Sequence, residues 1–207
     1  MRTIHRIWIE GSPVMPDEFV KNGELWRELN PDWNVLTWSK PSFTIMNECI
    51  YKKALAYAPK NDVLRFKADL LRLEILYQFG GLYVDVDIEP LRPIGKLLDS
   101  HKAAAAYSPN LWKGNRVLSN AFMWAQPKHT WIRRCIIKMH ISVQAYRGTF
   151  LAMMTGPHHV NRCLKPSDMV GILPTSTIYP TTVDKLGSAL CFHSWANKAK
   201  MQKEAIR

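Results

Sequence analysis

An α/β fold with a mixed, mainly parallel central sheet flanked by helices is predicted by three features of this 207-residue chain. Short β-rich runs alternate with helix-patterned segments along most of its length, as βαβ units do. One long segment, 62–79, is apolar nearly all round, which marks a helix buried against a sheet. That segment runs directly into a Gly-Gly break and a short apolar strand. The length is most simply one domain, 1–207, large enough for a real core.

In chain order, 4–9 reads as a first strand and 11–16 as a Gly/Pro loop. Residues 17–29 form a helix closed by the Asn30-Pro31 break. A second strand covers 33–38, and 41–57 is mostly helical. The buried helix 62–79 ends with Gly80 or Gly81 as a C-cap. A strand from Gly81 onward follows, then short strands at 103–107 and 120–125. Residues 130–143 read as a helix, and 170–173 and 189–192 as the last strands. In open sheets of this kind ligands bind at the carboxyl ends of strands, and the strand after Gly81 has such an end.

That strand carries the chemistry. In ADLLRLEILYQFGGLYVDVDIEPLRP (68–93), strand alternation puts Tyr83, Asp85, Asp87 and Glu89 on one face. Leu82, Val84, Val86 and Ile88 take the apolar face. Two carboxylates roughly 6–7 Å apart along a strand repel each other unless a cation lies between them. Oxygen ligands so placed suit Mg²⁺ or Mn²⁺, with phosphate oxygens completing the shell. An Asp-x-Asp alone arises by chance in about half of chains this long, so the context decides. Asp69 and Arg72 share one face of a buried helix, where each needs a partner or a site.

The run resembles the sugar-binding DXD region of retaining glycosyltransferases of the GT-A type. It is similar in particular to Och1-like mannosyltransferases, capsular-polysaccharide glycosyltransferases and glucosylating bacterial toxins. Asp69, Arg72, Gly80, Gly81, Tyr83, Asp85 and Asp87 fall on their pattern without a gap. IHRIWIEGSPVMP (4–16), NPDWNVLTWS (30–39), SNAFMWAQP (119–127) and FHSWANKAK (192–200) match more loosely. The resemblance implies a GT-A nucleotide-sugar-binding fold, with 1–91 as the donor part and 92–207 as the acceptor side. It implies Mn²⁺ or Mg²⁺ at Asp85 and Asp87, with Asp87 the direct ligand and His193 the third. Asp69, Arg72, Asp85 and Asp87 would be the catalytic set. Trp8, Tyr83, Asn120 and Trp195, with Asp69, Arg72 and Asp85, would bind a UDP- or GDP-sugar. Transfer would retain anomeric configuration.

Charge is the second strong feature. Residues 1–91 hold 11 Lys/Arg against 13 Asp/Glu, and residues 92–207 hold 17 against 4. This basic half is more than a diphosphate needs. It fits a polyanionic acceptor, either a modified base in DNA or an anionic glycan or lipid. Lys198, Lys200, Lys203 and Arg207 on a terminal amphipathic segment would suit a peripheral membrane contact. No apolar run approaches a membrane span. The basic N-terminus has too short an apolar stretch for a secretory signal. Cys49, Cys135, Cys163 and Cys191 show no metal-like spacing, so reduced thiols and a cytoplasmic location are expected. His158 and His159 follow a Thr155-Gly156-Pro157 loop and read as solvated, with a helix-start or acceptor-side role as the alternative.

Neither a Ser-His-Asp nor a Cys-His signature is present, nor a GxxxxGK[ST] loop. Two function classes therefore remain: a metal-dependent glycosyltransferase, or a catalytically inactive glycosyltransferase-like protein that binds nucleic acid or glycan.

Overall fold

The computed structural model describes residues 2–109, 112–180 and 189–193. Strand β1 (Arg2–Ile7) begins and ends two residues earlier than expected. Helix α1 (Asp17–Leu29) and strand β2 (Trp33–Trp38) fall where the sequence puts them. The helix expected over 41–57 is reduced to α2 (Glu48–Lys52) and α3 (Ala54–Tyr57). Tertiary contacts claim 41–47 instead. Phe43 packs edge-on against Trp38 and Phe79, with centroids 5.7 and 4.9 Å apart. The Glu74 carboxylate accepts the N–H groups of Met46 (3.1 Å) and Asn47 (2.9 Å) just ahead of α2.

Helix α4 (Val63–Phe79) is followed by β3 (Gly81–Val84) and by β4 (Ile88–Pro90), which the sequence reading did not separate from it. Strands β5 (Ala103–Tyr107) and β6 (Leu118–Ala125) come next. The helix expected over 130–143 is two, α5 (Thr130–Ile137) and α6 (Met139–Ala145). At the break, the Ile137 carbonyl is bonded by His140 Nδ1 at 2.9 Å. Helix α7 (Leu151–Met154) was not anticipated, and α8 (Pro157–Arg162) takes up the helix-start alternative at His158 and His159. Strands β7 (Gly171–Leu173) and β8 (Cys191–His193) close the described chain.

The central sheet has the order β2-β1-β3-β6-β5-β7. Its pairings are parallel at β1–β2, β1–β3 and β5–β7, and antiparallel only on either side of β6. The expected mixed, mainly parallel sheet is therefore present, with β6 as the single reversed strand. Alternating side chains split the core between the two faces. Ala103, Ala105, Tyr83 and Met123 pack with α4 and α5 on one side. Ala104, Ala106, Leu82, Val84 and Phe122 pack with Trp26 of α1 on the other. None of the described helices is long and apolar enough to cross a membrane.

The Gly-Gly pair is a backbone requirement. Gly80 and Gly81 take φ of +65° and +98°, and the φ/ψ of Gly80 (65°, −162°) is a region open to glycine alone. A Cβ on Gly80 would lie 2.7 Å from the backbone nitrogen of Pro127, and one on Gly81 2.5 Å from the Thr3 carbonyl. The turn is anchored by His5 of β1. Its Nε2 lies 2.9 Å from the Gly80 carbonyl, and its Nδ1 accepts from Trp38 Nε1 at 3.1 Å. The bond from Trp38 requires an unprotonated Nδ1 and hence the neutral ring.

Burial pushes the His5 imidazole down to about 4. The unfolded chain thus takes up this proton first as pH falls, so the stability from neutral His5 is complete above pH 6.5 and lost toward pH 4. The loss should reach roughly 3 kcal/mol. Urea unfolding of the wild type and of His5→Gln at pH 7 and pH 4 should show this slope only in the wild type. Equal slopes would mean that His5 is not held neutral.

Candidate functional site

The site lies at the carboxyl ends of β1 and β3. Sheet pairing continues one residue past β3, with Asp85 N–H donating to the Ala121 carbonyl at 2.9 Å. The chain then turns, and Ile88 N–H donates to the Asp85 carbonyl at 3.1 Å. Asp85 and Asp87 therefore belong to a turn. They do not share a strand face with Tyr83 and Glu89, as alternation implied. The strand cannot continue because β4 leaves the central sheet to pair antiparallel with β8.

Three buried donors that the sequence reading missed hold the turn's backbone. The Val86 carbonyl accepts from Arg6 Nη2 (3.1 Å) and Asn22 Nδ2 (3.2 Å), and the Ile88 carbonyl accepts from Trp26 Nε1 (3.1 Å). Arg6 also donates to the Phe19 carbonyl. Gly23 leaves the room it needs, since a Cβ there would collide with the Arg6 guanidinium. No local pattern links these residues to the turn. They come from β1 and α1.

Arg72 sits at the centre. It is 6% exposed, with Nη2 2.9 Å from Asp69 Oδ1 and Nη1 3.1 Å from Asp85 Oδ1. Nη1 also donates to the Asn120 carbonyl at 2.5 Å, and the guanidinium lies 4.5 Å from the centre of the Tyr83 ring. Arg72 thus pairs with Asp69 and also reaches Asp85 and the cleft. Asp69 itself accepts from Asn120 Nδ2 (2.9 Å) and from Thr155 Oγ1 (2.7 Å). Thr155 is a further residue that no spacing rule could have found. Tyr83 donates its hydroxyl to Asp85 Oδ1 at 2.6 Å. Burial alone would raise the Asp85 carboxyl, but Arg72, His193 and Tyr83 hold it below the usual carboxylate range.

His193 arrives through sheet register, because β8 pairs it with Ile88, the residue after Asp87. Its Nε2 lies 3.6 Å from Asp87 Oδ1 and 4.0 Å from Asp85 Oδ2. One ligand atom from each of Asp85, Asp87 and His193 lies within 4.8 Å of the other two. Burial and the neighbouring Asp85 raise Asp87 to about 6. Burial works against the charged His193 ring, yet Asp85 and Asp87 raise it overall. Two crowded carboxylates with an imidazole form an O,O,N donor set that fits a divalent cation such as Mn²⁺. Trp195, Lys198, Lys200, Lys203 and Arg207 lie outside the described residues.

A cleft of about 350 Å³ opens beside this cluster, within the range of small-ligand pockets. Of the sequence-derived candidates, Trp8, Asp69, Arg72, Tyr83, Asp85, Asp87 and Asn120 line it. Leu151, Ala152, Gly156 and Pro157 form another wall that was not foreseen. Trp8 is oriented by its Nε1, which donates to the Pro13 carbonyl at 2.9 Å. His158 and His159 begin α8. His159 is buried, contrary to the solvated reading, and its Nε2 bonds the Cys135 carbonyl at 2.8 Å. Cys135, Cys163 and His159 also come together, although their spacing gave no sign of it.

Residues 16–104 match the family described as "Glycosyltransferase sugar-binding region containing DXD motif". Two relatives are from Schizosaccharomyces pombe. Inositol phosphoceramide mannosyltransferase 1 is 26% identical over 209 aligned residues, 94% of this chain and 61% of that protein. Inositol phosphoceramide mannosyltransferase 3 is 25% identical over 161, 75% of this chain and 42% of that protein. The chain thus spans about half the length of these relatives. Among solved structures, the PaToxG glycosyltransferase superposes with a TM-score of 0.63 at 16% identity, covering 79% of this chain and 68% of that one. The fold is that of GT-A glycosyltransferases. In sequence over its first half, and in fold over most of its length, the chain is similar to glycosyltransferases.

Removing one member of the buried ion-pair group should expose the others. Arg72→Met leaves Asp69 and Asp85 without their shared cation and should cost roughly 3–5 kcal/mol. Combined with Asp69→Asn, the loss should fall short of the sum of the single losses by about 0.5–3 kcal/mol. Urea unfolding of the four proteins measures this coupling. Additive losses would mean that the two residues do not act together.

Proposed function

We propose that this protein is a metal-dependent glycosyltransferase that moves a hexose from a nucleoside-diphosphate donor to an acceptor hydroxyl. The observation that carries this reading is the Asp85/Asp87/His193 cluster beside a cleft that Arg72 and Trp8 also line. Asp85, Asp87 and His193 would hold the cation, with Asp87 as the direct carboxylate ligand. A divalent cation bound there, Mn²⁺ or Mg²⁺, supplies positive charge to the diphosphate leaving group. Arg72 fixes the Asp85 carboxylate and keeps a positive charge beside the donor. Asp69, oriented by Asn120, Thr155 and Arg72, turns its remaining acceptor capacity toward sugar hydroxyls. Trp8 offers a face to the nucleotide base.

Transfer with retention is part of the proposal. The described residues lining the cleft include no carboxylate beyond Asp69, Asp85 and Asp87. All three are engaged with Arg72 or with the cation cluster, so none is free as a nucleophile opposite the leaving group. That supports attack by the acceptor from the leaving-group side, through an oxocarbenium-like transition state. A mannose donor is the first to test, since both relatives are named as mannosyltransferases. The acceptor class we favour is an anionic glycan or glycolipid. The names of those relatives and the basic second half of the chain both support it.

Thermal shift with GDP or UDP, each with and without Mn²⁺, should give a metal-dependent rise for one of the two. Release of that nucleoside diphosphate from its hexose donor should follow. Asp87→Asn should retain the fold by circular dichroism, lose the Mn²⁺-dependent shift, and lower turnover more than about tenfold, or about 1.4 kcal/mol of barrier. Turnover above a tenth of wild type would remove Asp87 from this role. No turnover of any donor by the wild type would leave a binding protein.

Acceptor charge is tested separately. Co-sedimentation with phosphatidylinositol-containing vesicles should fall steeply as salt rises. Binding to duplex DNA in a gel shift, with none to vesicles, would reverse the choice of acceptor.

A further inference from the structure

Three aromatic rings stand together at the ends of the segment that lines the cleft, and the donor reading uses none of them. Trp112 and Phe150 are 38% and 49% exposed, and His158 is half-buried. The Trp112 and His158 rings are 4.6 Å apart, Trp112 and Phe150 5.3 Å, and Phe150 and His158 6.3 Å. Each ring comes from a defined position. Trp112 begins a tight turn closed by reciprocal 2.9 Å bonds with Asn115. Lys113 and Gly114 at the turn's centre have φ of +48° and +79°, the positive pair of a type I′ turn. Phe150 and His158 flank the segment whose Leu151, Ala152, Gly156 and Pro157 line the cleft. Phe150 and His158 are thus chain neighbours of Leu151 and Pro157 in the cleft wall.

Burying a large apolar side chain stabilises a fold. Three neighbouring rings left partly in water next to residues of the cleft wall mark a ligand surface more than a packing choice. We infer that Trp112, Phe150 and His158 form the acceptor subsite and hold a saturated sugar ring of the acceptor by its C–H face. The inference rests on the glycosyltransferase reading and says where its second substrate lies. Ring geometry favours a sugar over a nucleobase. The three planes meet at 52°, 61° and 83°, so they make a corner with no parallel slot for a flat base. A corner of ring faces suits the puckered C–H surface of a pyranose. His158 is kept below its usual value by burial and by Arg162. It therefore presents a neutral ring, with one donor and one acceptor nitrogen for hydroxyl groups.

Saturation-transfer NMR on the full chain tests this with methyl α-mannopyranoside, methyl β-galactopyranoside, myo-inositol and a short oligothymidylate as probes. Transfer to the ring C–H protons of at least one of the three cyclic polyols is expected for the wild type. It should weaken about fivefold or more in Trp112→Ala and in Phe150→Ala, and recover largely in Trp112→Phe. Melting temperatures of the variants show that they fold. Absence of any polyol signal in the wild type, or a signal unchanged in both alanine variants, overturns the inference. So does an oligothymidylate signal that alone depends on Trp112. The donor reading fails independently, if the wild type shows no metal-dependent shift with either nucleoside diphosphate.

Discussion

A guanidinium buried between two carboxylates sets the geometry of this site. Arg72 comes from α4, Asp85 from the end of β3, Asn120 from β6 and Tyr83 from the middle of β3. Desolvating that charge is tolerable only because each direction of the planar fork meets an acceptor or a ring face. Asp69, one turn earlier on α4, is satisfied in the same way by Arg72, Asn120 and Thr155. The network therefore ties the buried helix, two strands and the loop before α8 into one unit. A lysine could supply the charge, but its compact ammonium lacks the planar fork that spans Asp69, Asp85 and the Asn120 carbonyl while lying over the Tyr83 ring.

Around that unit, topology decides which residues meet. Strands β1 and β3 run parallel, so their carboxyl ends deliver Trp8 and Asp85 to the same edge. The reversed strand β6 brings Asn120 back toward that edge. Strand β4 then departs from the central sheet, and its pairing with β8 sets His193 beside Asp87. The turn between β3 and β4, with β8 alongside, puts one ligand atom from each of two carboxylates and an imidazole within 4.8 Å of the others. Burial and then the neighbouring Asp85 raise the Asp87 carboxyl, and a cation relieves such a cost. The donors from Arg6, Asn22 and Trp26 stop the turn from relaxing away from it.

Much of this was readable from residue order. The bounds of α1, β2 and β5 follow from periodicity and from the Asn30-Pro31 break, because those elements obey their local patterns. The Gly80-Gly81 pair announced a turn that only glycine can make, and the structure shows the positive φ values and the close backbone approaches that demand it. Asp69 and Arg72 stood out because a charged pair on an apolar helix needs a partner, and their grouping with Tyr83, Asp85 and Asp87 came from the resemblance to DXD glycosyltransferases. The strand-face geometry assigned to Asp85 and Asp87 was not correct. Local alternation cannot register that β4 changes sheets.

What the sequence alone determined is thus the class of fold, the buried helix with its glycine stop, and the identity of the charged residues at the site. These depend on patterns within one or two turns of chain, where sterics and burial act locally. Only the tertiary structure decided that Arg72 bridges Asp69 and Asp85, that Thr155 and Asn120 orient Asp69, and that Arg6, Asn22 and Trp26 secure the turn. It also brought His193 to Asp87, and Trp112 to Phe150 and His158. Each of these contacts joins residues far apart in the chain, and their meeting is set by strand order, register and packing, which no local spacing encodes.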